Sequence, residues 1–266
     1  MSRFLQGFAI TGLLGALASN PALAGFDQNL YTAGHTDIAV GYDAWTGLSF
    51  HYEMASSTII NGAPVGGSGA ALDPSTVSVI VPESVLMTGD FRLPAPFADN
   101  PIYLLLQTSQ GAGSRPFLGF GAEDVAGGLF VGDAFSYALT DFSSSSGGDF
   151  VLYTNGNWAN PDMNTADGLS ASDSVNIFAG GHEHYNLGFT TAGIYDLTFT
   201  AFGTLVGGGV VETSAVFHFV VGDQPAAVPE PTSLALLGLG AGFAGLLAVR
   251  RRKAARAAQL PRRYSL

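Results

Sequence analysis

The segment Gly181-His182-Glu183-His184-Tyr185 holds two of the chain's five histidines, one residue apart. In an extended segment both imidazoles point the same way, because strand side chains alternate faces with period 2. Two neutral imidazoles converging on one point are what zinc and similar ions require. His35 is followed two residues on by Asp37, and His51 two residues on by Glu53. In a strand each of these pairs also shares a face. Their neighbours Ile38 and Val40, and Phe50, Tyr52 and Met54, are left to enter a core. The expected metal site is therefore His182, His184, His35 and His51, with Asp37 and Glu53 as further ligands or as partners that orient an imidazole. Four histidines would make a closed site, whereas three and a water would leave an open, reactive position.

Other residues with chemical potential are fewer. His218 lies between Phe217 and Phe219, a setting that suits packing. Glu183 falls on the opposite face of a strand from its flanking histidines, so it is poorly placed as a base on their ion. There is no His-Glu-x-x-His helix and no Gly-x-Ser-x-Gly elbow. Asp162-Met163-Asn164-Thr165-Ala166-Asp167-Gly168 gathers oxygen donors before a glycine. It resembles a Ca²⁺ loop loosely and lacks the terminal bidentate glutamate; an Asx-rich turn is the alternative. Trp45 and Trp158 are candidates for a sugar-binding face, with core packing the expected role of both.

The elements that must position these residues are strands. Tyr195–Ala201 alternates, with Tyr195, Leu197, Phe199 and Ala201 on one face. Gly47–Met54 sets Leu48, Phe50, Tyr52 and Met54 against Ser49, His51 and Glu53. Thr76–Val81, Ile102–Gln107 and Ala215–Val221 are further β-rich runs, and Asn61-Gly62, Asp73-Pro74, Gly66-Gly67, Gly147-Gly148 and Gly207-Gly208-Gly209 supply turns between such runs. The pattern predicts an all-β, β-sandwich-like body over residues 25–222. Asp141–Gly148 is Ser/Gly-rich and is expected as a loop.

Both ends differ from this body. Met1-Ser2-Arg3, an apolar stretch from Phe8 to Leu17 and Ala22-Leu23-Ala24 form a secretory signal peptide over 1–24, cut after Ala24. Residues 223–231 are a linker that ends in Pro229-Glu230-Pro231. Thr232–Val249 carries no charge over 18 residues, which as a transmembrane helix reaches ~27 Å, about one bilayer core. Residues 250–266 form a basic tail that stays cytoplasmic, which leaves the body outside. Between Gly25 and Val228 only Arg92 and Arg115 stand against twenty acidic residues, a formal charge near −18, and there is no lysine. Such a surface repels nucleic acid and attracts cations. With no cysteine in the chain, disulfides and thiolate metal sites are excluded, and histidine and carboxylate are the strong ligands that remain.

The order Pro229-Glu230-Pro231, apolar helix, Arg250-Arg251-Arg252-Lys253 resembles the PEP-CTERM sorting signal of Gram-negative bacteria. The resemblance implies processing by an exosortase-type protease near the Pro-Glu-Pro, after transient inner-membrane anchoring through the C-terminal helix. Release to the cell surface or extracellular matrix would follow. Gly181-His182-Glu183-His184-Tyr185-Asn186-Leu187-Gly188-Phe189, followed by Ala192-Gly193-Ile194-Tyr195, resembles the surface-anchored repeat of actinobacterial wall proteins. Gly34-His35-Thr36-Asp37-Ile38 and Pro116-Phe117-Leu118-Gly119 look like the choice-of-anchor M domain that contains that repeat. With a PEP-CTERM tail, this resemblance implies a group whose genes are controlled by a zinc-uptake repressor and whose relatives are linked with metal-uptake transporters.

The first functional expectation is a non-enzymatic, surface-sorted protein that binds metal, with Zn²⁺ the expected ion, in capture or homeostasis. The second is a structural or adhesive matrix protein that contacts exopolysaccharide. The third is a metal-dependent hydrolase.

Overall fold

A computed structural model describes residues 29–90 and 92–223. The expected signal peptide, Pro-Glu-Pro motif, transmembrane helix and basic tail lie outside the described residues. Among the described residues no helix is long and apolar enough to cross a membrane. Seventeen strands account for most of this region: β1 Asn29–Asp43, β2 Gly47–Met54, β3 Ile59–Ile60, β4 Ala63–Pro64, β5 Ala70–Leu72, β6 Val77–Val81, β7 Leu86–Met87, β8 Ile102–Leu105, β9 Pro116–Gly121, β10 Ala134–Ser144, β11 Phe150–Tyr153, β12 Met163–Asn164, β13 Ser174–Phe178, β14 His182–His184, β15 Asn186–Phe189, β16 Gly193–Thr204 and β17 Val210–Val221.

Twelve strands join in one sheet whose main path runs β13-β10-β16-β17-β6-β1-β2-β5. β1 is its pivot. Asn29–Tyr31 pairs parallel with β6, and from Gly34 the same strand pairs parallel with β9. Its C-terminal half also pairs antiparallel with β2, from Thr36↔Met54 to Asp43↔Gly47. The changeover falls at Gly34, which has φ +94° and where a Cβ would lie 2.6 Å from the Thr58 Cα. Only glycine suits a left-handed backbone in so close a contact. Thr58 then holds the next residue, its Oγ1 donating to the His35 carbonyl.

The second sheet has the order β12-β11-β15-β8-β7. Its inner face meets the large sheet across one core. Leu105, Phe150, Leu152, Leu187 and Phe189 of the small sheet pack with Val79, Tyr195, Leu197, Phe199, Phe217 and Phe219 of the large one. The Phe189 ring joins the layers directly, 5.0 Å from Tyr195 and 5.3 Å from Phe219 between centroids. The outer face of the small sheet is covered as well. Ile102, Leu104, Val151 and Tyr153 pack there against Leu93 and Phe97, with Trp158 beside them. This double burial explains why its strands are apolar without alternation. The architecture is all-β and sandwich-like, as the strand patterns predict.

Two expectations change. Asp141–Ser144 is not loop; it extends β10 and pairs with Tyr195–Thr198 of β16, past a register shift between Leu139 and Asp141. Backbone pairing outweighs the low strand preference of serine and aspartate there. Trp45 does not enter the core. It stands 94% exposed in the β1–β2 turn, where the Asp43 carboxylate accepts its backbone N–H and that of Thr46.

Because Phe189 ties the layers together, Phe189→Ala should lower the unfolding free energy by about 3–5 kcal/mol. Urea unfolding followed by near-ultraviolet circular dichroism checks this: the midpoint should fall with the slope unchanged. An unmoved midpoint would remove Phe189 from its place as the link between sheets.

Candidate metal centre

The site is built by the register across four neighbouring strands. Asp37 of β1 pairs with Glu53 of β2 on one side and with Gly119 of β9 on the other. Gly119 pairs in turn with His184 of β14. One row therefore reads Glu53–Asp37–Gly119–His184. The adjacent row, two residues along, reads His51–Ala39–Gly121–His182. Side chains in both rows rise from the same face. β9 contributes only hydrogens at 119 and 121, so it forms a floor over which β1 and β14 side chains meet. A Cβ at Gly119 would collide with Asp37 Oδ1 and come within 2.9 Å of His184 Cε1, and one at Gly121 would lie 3.3 Å from the Asp37 Cβ.

Three imidazoles converge over this floor. His35, His182 and His184 each place a ring nitrogen within 4.8 Å of the others. Their ring centroids are 5.6, 5.0 and 5.2 Å apart. His35 Nε2 and His184 Nε2 are 3.2 Å apart. Two nitrogens bound to one tetrahedral zinc ion at ~2.05 Å are about 3.3 Å apart, so this pair has the spacing of ligands on one ion. His184 Nδ1 lies 3.0 Å from the Leu118 carbonyl. A carbonyl has no proton to give, so Nδ1 carries the hydrogen and Nε2 keeps its lone pair. His182 Nδ1 is held 2.8 Å from Glu123 Oε1, which orients that ring in the same way. Phe117 stacks on His184 at 4.0 Å and 9°.

Asp37 closes the group from beneath. Its Oδ2 is 3.3 Å from His35 Nε2, and the residue is 1% exposed. Its Oδ1 is buried and has no hydrogen-bond partner among the described residues. An unpartnered buried carboxylate oxygen is costly, and a cation would satisfy it. The three imidazoles form one candidate donor group, and Asp37 borders it in a second group with Glu123 and His182. Burial holds the His184 imidazole below its usual range, so it is neutral and ready to ligate near pH 7. The hydrogen bond to Asp37 raises that of His35 against the effect of burial.

Two buried tyrosines support the floor. Tyr31 Oη donates to the Gly34 carbonyl at 2.6 Å and accepts the Phe117 N–H at 3.1 Å. Tyr137 Oη donates to the Gly121 carbonyl. The end of β9 is tied to the start of β14 by Ala122 N–H to Gly181 O at 2.9 Å and Gly180 N–H to Ala122 O at 2.8 Å. That junction carries Glu123 and Asp124.

The expected residues are not all brought together. His51 and Glu53 stand on the far side of β1, and they group with Asp124 instead. His51 and His182 occupy the same row three strands apart, on the order of 14 Å between Cα atoms, with Ala39 and Gly121 between them. Burial lowers the His51 imidazole, and burial raises the Glu53 carboxyl, helped by Glu123, Asp124 and Asp37. His218 is elsewhere, its Nδ1 2.6 Å from Asp196 Oδ1. Glu183 is exposed and pairs with Phe120 on the off-site phase of the strand. In the candidate Ca²⁺ loop the oxygens serve the turn: Asn164 Oδ1 accepts the Ala166 N–H and Asp167 Oδ2 accepts from Asn164 Nδ2. Spacing in the chain did not reveal Glu123, Asp124 or the glycine floor, since they join the histidines only through strand pairing.

Residues 227–253 match the PEP-CTERM protein-sorting motif. The motif marks an exported, surface-sorted protein of a Gram-negative bacterium, recognised by an exosortase and associated with the membrane at its C-terminus. No curated protein and no solved structure matches the chain.

Asp37→Asn separates the two roles of this carboxylate. The change weakens the pair with His35 but also removes a buried carboxylate with one unpartnered oxygen, so the metal-free chain should keep its stability within about 1 kcal/mol while zinc affinity falls at least tenfold. Melting temperatures with and without zinc test this, and a variant destabilised in both states would contradict it.

Proposed function

We propose that this exported chain is a metal-binding protein, zinc being its ion, that acts in metal capture or homeostasis at the cell surface and catalyses no reaction. The observation that carries the reading is the convergence of His35, His182 and His184 above the unpartnered carboxylate oxygen of Asp37. Three features support it. The donors are pre-aligned by hydrogen bonds to Leu118 and Glu123, which limits the ordering cost of binding. Three imidazoles with the Asp37 carboxylate beside them supply the donor types that a zinc-holding site uses. The acidic body raises the local concentration of cations. The resemblance of His182–Phe189 to a surface-anchored repeat of a zinc-controlled group points the same way, and so a metal-uptake transporter is the partner proposed.

One observation favours a second reading, adhesion to exopolysaccharide: the almost fully exposed Trp45 at a hairpin tip, a surface suited to stack on a sugar ring. Glycan binding that survives chelation and is lost in Trp45→Ala would support it.

For the metal reading, calorimetric titration of the full chain in detergent should show zinc bound more tightly than about 10 μM at neutral pH. His182→Ala/His184→Ala should weaken it by about 100-fold or more. Affinity should also fall below about pH 6, because each imidazole must shed its proton to ligate. Unchanged binding in the double variant would sink the proposal.

A further inference from the structure

Beyond Asp37, the row that carries the first site continues into a second set of donors. His51 and Glu53 rise from β2 two residues apart, and Asp124 reaches over from the junction after β9. Each places one ligand atom within 4.8 Å of the other two. Two of these atoms are unsatisfied: His51 Nε2 and Glu53 Oε2 are buried without a hydrogen-bond partner among the described residues. His51 Nε2 lies 3.4 Å from Asp124 Oδ2, close enough to share an ion. Asp37 Oδ1, on a side chain 1% exposed, is a third unsatisfied atom and stands on the row between the two sets.

These atoms share a cleft of about 410 Å³ lined by His35, Asp37, His51, Glu53, Glu123 and Asp124, with Met54 and a few small residues, and no lysine or arginine lines it. Four carboxylates thus face one space without a lysine or arginine, and a bound divalent ion would offset charge that no such side chain offsets there. Buried polar atoms normally have partners, so three unsatisfied ligand atoms along one wall mark places that a bound species fills.

We infer that the cleft holds a second divalent-cation site, formed by His51, Glu53 and Asp124, beside the three-histidine site. The inference extends the metal-binding reading and rests on it for the neighbouring ion. One imidazole and two carboxylates form a harder donor set than three imidazoles, suited to a zinc- or manganese-class ion that retains water. The two sites share a tether. Glu123 orients His182 and Asp124 faces His51, so consecutive residues of one turn serve both ions.

Native mass spectrometry and calorimetry of the full chain in detergent, with zinc alone as the probe, test this. Two equivalents are expected, in two steps of different affinity. Asp124→Asn should weaken the second step at least tenfold and leave the first within about threefold; its side chain is 62% exposed, so the fold tolerates the change. Glu53→Gln should do the same, whereas Asp99→Asn, a charge-matched change at an exposed position that lines no part of the cleft, should leave both steps intact. One equivalent in the unaltered chain overturns the second site and leaves the first standing. Two equivalents that persist in both cleft variants, or weaken equally in Asp99→Asn, mean loose binding to surface acids and also overturn it. No bound zinc at all overturns the proposed function as well.

Discussion

The pairing of β9 with β1 on one side and β14 on the other, in the register that sets Gly119 opposite both Asp37 and His184, is the constraint on which the site depends. Strand side chains alternate strictly, so a slip of one residue would turn His35 and Asp37 into the core and bring Ile38 out. The ligands are not what prevents this. Ile38, Val40, Phe50, Tyr52, Leu118 and Phe120 occupy the other face of the same strands and are buried in the core. Each such burial is worth roughly 1.5–3 kcal/mol, more than any unfilled site contributes. The core therefore holds the register, and the register holds the donors. This division keeps the donors of the metal-free chain in place.

The same strands explain how costly groups are tolerated. Asp37 is a buried acid with one oxygen unpartnered, in a sheet that has no cation of its own to offer. The two arginines of the body are engaged elsewhere. Arg92 pairs with Asp90 and lies 4.1 Å from the centroid of the Trp158 ring, and Arg115 donates to the Gln110 carbonyl. Neither reaches the cleft, so the carboxylates there are left for an external cation. In an exported chain without cysteine, imidazole and carboxylate are the ligand types through which such a cation can be held.

The crossing from β14 to β15 joins the site to the sandwich. His182–His184 pairs with β9 of the large sheet, and Asn186–Phe189 pairs with β11 and β8 of the small one. Tyr185 is buried at the changeover, with its ring edge-on to Phe120 at 5.7 Å. Asn186 secures the new sheet, its amide donating to the Tyr153 carbonyl and its carbonyl accepting the Gln107 N–H. The dense His-x-His-Tyr-Asn-x-x-Phe segment thus spans two strands with three jobs in order: donors, crossing between sheets, and core.

Alternation along the chain was enough to place His35 with Asp37, His51 with Glu53 and His182 with His184, because period-2 geometry is local. It was also enough to show an all-β body and a C-terminal sorting signal, since burial and export are written in the order of apolar and charged residues. It did not show that Asp141–Ser144 would be held as strand by β16, or that Trp45 would stand in solvent. Which pairs meet was decided only in three dimensions. His35 lies 149 residues from His184 in sequence and 3.2 Å from it in space, a contact made by the parallel pairing of β1 with β9 and the antiparallel pairing of β9 with β14. The same pairing left Ala39 and Gly121 between His51 and His182, so the four histidines divide between two groups. Long-range register depends on the whole core at once, and no local pattern of residue types encodes it.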